Sequence, residues 1–128
     1  MGINYKINHC SQAGIQLFLL LLLCFVLWLS LAPVPSDKPP LINDKLAHFI
    51  AYAVLAANLD HAFATTRFTI KKFFFLFSYG VLIEILQHFT PTREFSLLDM
   101  LANTSGMLFY LLLTYTLLKR ELTEKPSN

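Results

Sequence analysis

The sequence predicts an all-α membrane protein: a compact antiparallel bundle of four transmembrane helices, in a pattern that suggests two repeated helical hairpins. Three observations carry this prediction. The chain is 55% hydrophobic and 14% charged, against about 45–50% apolar and about 25% charged in soluble domains. Four apolar stretches of near-membrane length follow one another through short connections, as antiparallel neighbours in a bundle do. Lys and Arg fall unevenly on alternate sides of those stretches. The 128 residues suit one domain, 1–128,. A net charge of +2, with no basic run interleaved with aromatics, excludes nucleic acid as the expected partner,. Cys10 and Cys24 form no C-x-x-C pattern and read as unpaired thiols,.

The first span, 15–32, carries no charge and at ~1.5 Å per residue covers about 27 Å, close to the hydrocarbon core. Ser30-Leu31-Ala32 resembles a signal-peptidase site, but the run exceeds the usual 7–15 residues and Pro33 follows the would-be cut, so a retained helix is expected. The second span, 46–64, is interrupted by Asn58, Asp60 and His61 and should insert only as part of a bundle,. The third, 73–89, follows Lys71-Lys72, and the fourth is 97–118. Lys6, Arg67, Lys71, Lys72, Lys119, Arg120 and Lys125 lie on one side; Lys38, Lys45 and Arg93 lie on the other. The positive-inside rule then predicts both termini in the cytoplasm, with loops 33–43 and 90–95 outside. No soluble domain is left over. Gly80 and the Ser105-Gly106 pair are small enough for close helix contact,. Met107, Phe109 and Tyr110 read as packing or lipid-facing residues.

Orientation gives meaning to the polar residues. Glu84 lies five residues before the expected end of the third helix, about 8 Å below it, with Gln87 and His88 on the same face. On the fourth helix Asp99, Asn103 and Gly106 form one stripe; on the second, Asp44, Lys45 and His48 lie near the start and Tyr52 one turn deeper. Three helices thus bring polar residues to one level, and intramembrane ionisable groups face the interior and mark function by default. Plainer readings stand beside this one. Ser96-x-x-Asp99 matches a capping box and Asn43 could cap the second helix,, so Asp99 is either a cap or a site residue. Glu84 is too deep for a cap on its own helix and needs a partner, with Lys45, Arg93 and His48 the expected choices; the pair could serve structure alone. Asp60, His61 and Asn58, with Arg67, Lys71 and Lys72 close by, read as a solvated interfacial group,.

Asp44-Lys-Leu-Ala-His48 and Asp99-Met-Leu-Ala-Asn103 both read D-x-L-A-[H/N], each at the start of an inward-running helix. This suggests two hairpins related by a pseudo-two-fold along the membrane normal, with the two segments facing each other across the bundle.

D-K-L-A-H-F-x-x-Y (Asp44 to Tyr52), E-I-x-Q (Glu84 to Gln87), the arginine of P-T-R (Arg93), S-x-x-D (Ser96 to Asp99) and L-A-N-T-x-G (Leu101 to Gly106) together resemble the VanZ-like family, over about residues 40–110. The resemblance implies a small multi-pass protein of the bacterial cytoplasmic (inner) membrane. It also implies an association with lowered susceptibility to the glycopeptide teicoplanin, the trait of the family's named member.

Three functions are compatible with these residues. The first is a non-enzymatic envelope protein whose outward polar pocket binds or orients a membrane lipid, a lipid-linked cell-wall precursor or a lipophilic glycopeptide. Lys45 and Arg93 would hold an anionic group, Glu84 and Asp99 would orient them, and His48, Gln87 and Asn103 would supply hydrogen bonds, with Asp44 and Tyr52 as further ligand-binding candidates. The second is an intramembrane hydrolase or transferase on such a lipid, with His48, Glu84 and Asp99 as candidate catalytic groups. A metal variant of it would use Asp44 with His48, Glu84 with His88, and Asp99; H-E-x-x-H is missing, and no metal or cofactor is expected. The third is a transporter, which with four helices requires an oligomer.

The topology predicts that Thr92→Cys, in a background without Cys10 and Cys24, reacts with a membrane-impermeant maleimide added outside intact cells. Labelling only after the cytoplasmic face is opened would reverse the orientation.

Overall fold

The structure, a computed structural model, describes residues 9–33, 44–64, 68–91 and 95–123. It is all-helical, with no strand among the described residues: α1 (His9–Leu31), α2 (Asp44–Ala62), α3 (Ile70–His88) and α4 (Leu97–Thr123). Spans two and three agree with the apolar stretches to within a few residues, but α1 begins six residues earlier than 15 and α4 runs five beyond 118. The reason is that helical hydrogen bonding continues through Ser11-Gln12 and Lys119-Arg120, which hydropathy excludes from an apolar run. Asn43, Lys38 and most of loop 33–43, Arg67, and Arg93 with Glu94 lie outside the described residues.

Among the described residues, only α1, over Ser11–Leu31, and α4, over Leu97–Arg120, are long and apolar enough to cross a membrane by length and composition. α2 and α3, 19 residues each, reach about 28 Å but carry Asp44, Lys45 and Asp60, or Lys71, Lys72 and Glu84, respectively.

Helices consecutive in sequence run antiparallel and alternate ones parallel, as their end contacts show. Gln12 and Gln16 at the start of α1 donate to the Ala62 carbonyl at the end of α2, at 3.3 and 3.2 Å. Gln87, near the end of α3, donates to the Ser30 carbonyl at the end of α1, at 2.9 Å. Tyr79 Oη adds a 2.6 Å bond to the Leu23 carbonyl. α2 and α4 therefore start at the same end, and they make the most extensive contact of any pair.

Each of these two helices buries a narrow stripe. On α2 it is His48, Tyr52, Leu55, Leu59 and Ala62; on α4 it is Asp99, Asn103, Gly106 and Tyr110. The alternating steps of four and three keep one face inward. The stripes meet most closely at Gly106, where an added Cβ would run into the Phe49 carbonyl oxygen and lie 3.0 Å from the Ala53 nitrogen. Ser105 faces outward and bonds the Leu101 carbonyl of its own helix, so Gly106 alone of that pair makes the close approach. Met107 is fully buried beside it, and Phe109 packs on Phe49 with centroids 5.5 Å apart.

At the far end of the helices, Asp60 and Lys72 are not the solvated pair expected from sequence. Lys72 is buried; its Nζ lies 2.7 Å from Asp60 Oδ1 and donates to the Phe63 carbonyl at 2.9 Å. Tyr110 Oη donates to Asp60 Oδ2 at 2.9 Å. One carboxylate thus ties α2, α3 and α4 together. Asn58 and His61 do follow local expectation, bonding the Val54 and Ala57 carbonyls of their own turn.

Gly106→Ala is expected to lose about 1–3 kcal/mol of stability, the usual cost of overpacking, because the obstructing atoms are backbone. Gly14→Ala, with nothing within 4 Å of its Cβ, is expected to leave stability unchanged or raise it by up to about 1 kcal/mol. Thermal unfolding of both variants in the same detergent measures the contrast.

Candidate functional site

The shared starting end of α2 and α4 sets the site. His48 Nδ1 lies 3.0 Å from Asn103 Oδ1, so the fifth residue of D-K-L-A-H meets the fifth of D-M-L-A-N. An amide oxygen only accepts. His48 Nδ1 is therefore the donor, and the ring's other nitrogen is left facing away from Asn103. That nitrogen, Nε2, lies 4.0 Å from Asp44 Oδ2 and 3.9 Å from Asp99 Oδ2. The second oxygen of Asp99, Oδ1, lies 3.4 Å from Lys45 Nζ. His48, Asp99 and Asn103 are buried, whereas the Lys45 and Asp44 side chains are 48% and 45% exposed. The cluster therefore has a wet side and a dry side.

Glu84 is fully buried on α3 and joins the site differently from the expected ion pair. Its Oε2 accepts the backbone N–H of Ser96 at 2.9 Å, and no hydrogen bond or ion pair links it to Lys45 or His48. Ser96 Oγ in turn accepts the Asp99 N–H at 3.3 Å. In a capping box the residue at the third helical position would return the favour to the cap's own N–H. Here Glu84, from another helix, fills that role, and the Asp99 carboxylate is released to face Lys45 and His48. Asp99 is thus both at a cap and in the cluster. Arg93, the remaining expected partner, lies outside the described residues.

Two predicted residues fall elsewhere. Gln87 is buried but spends its amide on Ser30 at the end of α1. His88 is exposed, packs edge-on against Phe89 at 5.8 Å and takes no part in the cluster. The pairing of Glu84 with His88 imagined for a metal is not formed; side chains one turn apart share a face only loosely, and here one points in and one out.

Tyr52 lies one turn below His48, completely enclosed. Gly80 on α3 gives it room: an added Cβ there would stand 2.9 Å from Tyr52 Oη and 3.2 Å from Asn103 Nδ2. Among the described residues, Tyr52 Oη and Glu84 Oε1 are buried without a hydrogen-bond partner, where such atoms are rarely left alone. A cleft of about 80 Å³, bounded by Ser30, Asp44, Ala47, His48, Ala51 and Tyr52, reaches this level; at ~30 Å³ per water it admits two or three. That is smaller than a head-group pocket, so a larger ligand would engage the cluster at its rim. A groove of about 800 Å³ lies at the opposite end, between Asp60, Phe68 and the Leu111–Leu118 stretch of α4, away from these residues. Sequence reasoning missed the Ser30 carbonyl and the Ser96 N–H, of which only the latter was hinted at, by the S-x-x-D pattern; Gly80 makes the close helix contact expected of it.

A family model described as VanZ/LLP1 matches residues 38–119, well over half of the chain and all of the cluster. No curated protein and no solved structure matches the chain significantly.

Glu84→Leu is expected to lose about 1–3 kcal/mol, since it strands the Ser96 N–H. Glu84→Gln, which keeps an acceptor oxygen, is expected to lose less. Thermal unfolding in detergent ranks the two; equal losses would show that the carboxylate charge, not the cap, is what the position requires.

Proposed function

The chain belongs to the VanZ-like family, and from that premise we propose that it is a multi-pass protein of the bacterial cytoplasmic membrane that binds the anionic group of a lipid or lipid-linked cell-wall ligand. The observation that carries the reading is the half-exposed Lys45 ammonium, held at the mouth of the cluster by buried Asp99 with His48 behind it. A fixed ammonium over a polar, partly dry cleft suits a phosphate or carboxylate presented from the membrane surface. Arg93 would add a second cation from the connection between α3 and α4. Asp44 and Asp99 would orient the donors, Asn103 would set the His48 ring, and Glu84 would hold Asp99 free.

All four helices would span the bilayer. Leu17, Phe18, Leu21, Trp28, Phe74 and Leu112 are each more than half exposed, which favours lipid around them. The charges that disqualify α2 and α3 as isolated spans include Asp60, Lys72 and Glu84, each of which has an internal partner. That is how ionisable groups are carried at membrane depth. Both termini would be cytoplasmic, by the distribution of Lys and Arg.

One observation favours a second reading, an intramembrane hydrolase or transferase. With Nδ1–H committed to Asn103, His48 Nε2 is the nitrogen left to accept a proton from a substrate or water.

Native mass spectrometry of the detergent-purified protein tests the binding reading. One anionic lipid or lipid-linked species per chain is expected to be retained, and Lys45→Ala and Arg93→Ala are each expected to weaken retention at least tenfold at equal protein level. Cells relying on the protein should lose reduced teicoplanin susceptibility in step. Unchanged retention in both variants would refute the reading.

A further inference from the structure

We propose that Asp44, His48 and Asp99 form a site for one divalent cation of the Mn²⁺ or Zn²⁺ class. One ligand atom from each, two carboxylate oxygens and an imidazole nitrogen, lie within 4.8 Å of one another. At metal–ligand distances of 2.0–2.2 Å, the ligands of a tetrahedral ion are about 3.4 Å apart. The Nε2 nitrogen is 3.9 and 4.0 Å from the two oxygens, beyond a hydrogen bond, so a contraction of about 0.5 Å would seat an ion among them.

The orientation of the ring argues for the same conclusion. Metal-ligating histidines donate their other ring N–H to a carbonyl, carboxylate or water, which fixes the tautomer and aims the lone pair. Asn103 Oδ1 takes that part at 3.0 Å. Asp99 is aimed as well: Lys45 stands at Oδ1 and the cap leaves Oδ2 turned to the cluster.

Tyr52, one turn deeper, lines the cleft beside Asp44 and His48, while its Oη turns to Gly80 on α3 and has no hydrogen-bond partner among the described residues. The half-exposed side at Asp44 leaves positions open for water or for an outside oxygen ligand. The mixed imidazole and carboxylate set favours Mn²⁺ or Zn²⁺ over Mg²⁺ or Ca²⁺, which take all-oxygen shells, and over Cu(I), which prefers sulfur.

Such an ion would resolve a difficulty in the anion-binding reading, because Asp44 and Asp99 beside Lys45 otherwise repel a phosphate or carboxylate. A bound divalent ion reverses the local field and can itself take an anionic oxygen. Metal binding stands without any lipid, so its failure would leave the lipid-binding reading to its own test.

The full chain, purified in detergent and stripped with EDTA, is titrated with Mn²⁺ followed by electron paramagnetic resonance, and then with Zn²⁺ as competitor. One Mn²⁺ per chain is expected, displaced by Zn²⁺, with ¹⁴N coupling from a single imidazole. His48→Gln and Asp99→Asn are expected to weaken binding at least tenfold, and Asn103→Leu by about 10–100-fold. His61→Ala and His88→Ala, which remove exposed histidines, should change nothing. Absence of stoichiometric binding, or of nitrogen coupling in the unaltered chain, would overturn the proposal whether or not the variants fold. Binding abolished by His61→Ala or His88→Ala but kept in His48→Gln would overturn it too.

Discussion

The close approach of α2 and α4 at Gly106 governs the rest of the molecule. With the Phe49 carbonyl and the Ala53 nitrogen against the glycine, the two backbones come as near as packing allows, and their relative register is fixed. That register sets His48 beside Asn103. It also brings the carboxylate of Asp99 toward a ring and an ammonium carried by another helix. A larger residue at position 106 would separate the helices along their whole upper half, and short side chains such as Asp and Asn could not bridge the gap. Small residues at helix crossings do this in apolar surroundings because dispersion, rather than the hydrophobic effect, must hold the helices together.

Glu84 shows how a third helix is recruited to the same end. A carboxylate with no exposure needs donors, since burying it unpaired is costly. The start of α4 offers backbone N–H groups that no helical carbonyl can satisfy. Joining the two needs meets both at once: Ser96 N–H gains an acceptor and Glu84 Oε2 gains a donor. The consequence for chemistry is indirect. Because α3 supplies the acid of the cap, α4 keeps Asp99 for the cluster.

The helices and the level of the polar residues were legible in the sequence, for definite reasons. Apolar runs broken by short connections allow few arrangements, and D-x-L-A recurs at two helix starts, so the meeting of His48 and Asn103 followed from equal register alone. What could not be read was which long-range partner each polar group would choose. Glu84 pairs with a backbone N–H, which has no letter in a sequence. Gln87 was grouped with the cluster by its position on a face, yet a rotation of a few tens of degrees turns it to Ser30. Asp60 and Lys72 looked like solvated end charges because charge near a helix end usually is; Tyr110, 50 residues away, makes them interior. Helix periodicity reports the face of a residue and is silent about what stands opposite it.

The two polar groups at opposite ends of α2 differ in a way that separates structure from function. At the Asp60 end, both carboxylate oxygens are engaged, by Lys72 and Tyr110, and Lys72 reaches a backbone carbonyl as well. Nothing in that group is short of a partner, and a fully satisfied buried network rigidifies what it joins. At the His48 end, satisfaction is incomplete. Among the described residues, Tyr52 Oη and Glu84 Oε1 have no hydrogen-bond partner, and Nε2 stands too far from either aspartate to share a hydrogen bond. The Asp60 end is thus closed on itself, whereas at the His48 end a ring is aimed through Asn103 and a carboxylate through a borrowed cap, and that contrast is what supports reading the His48 end as the proposed site.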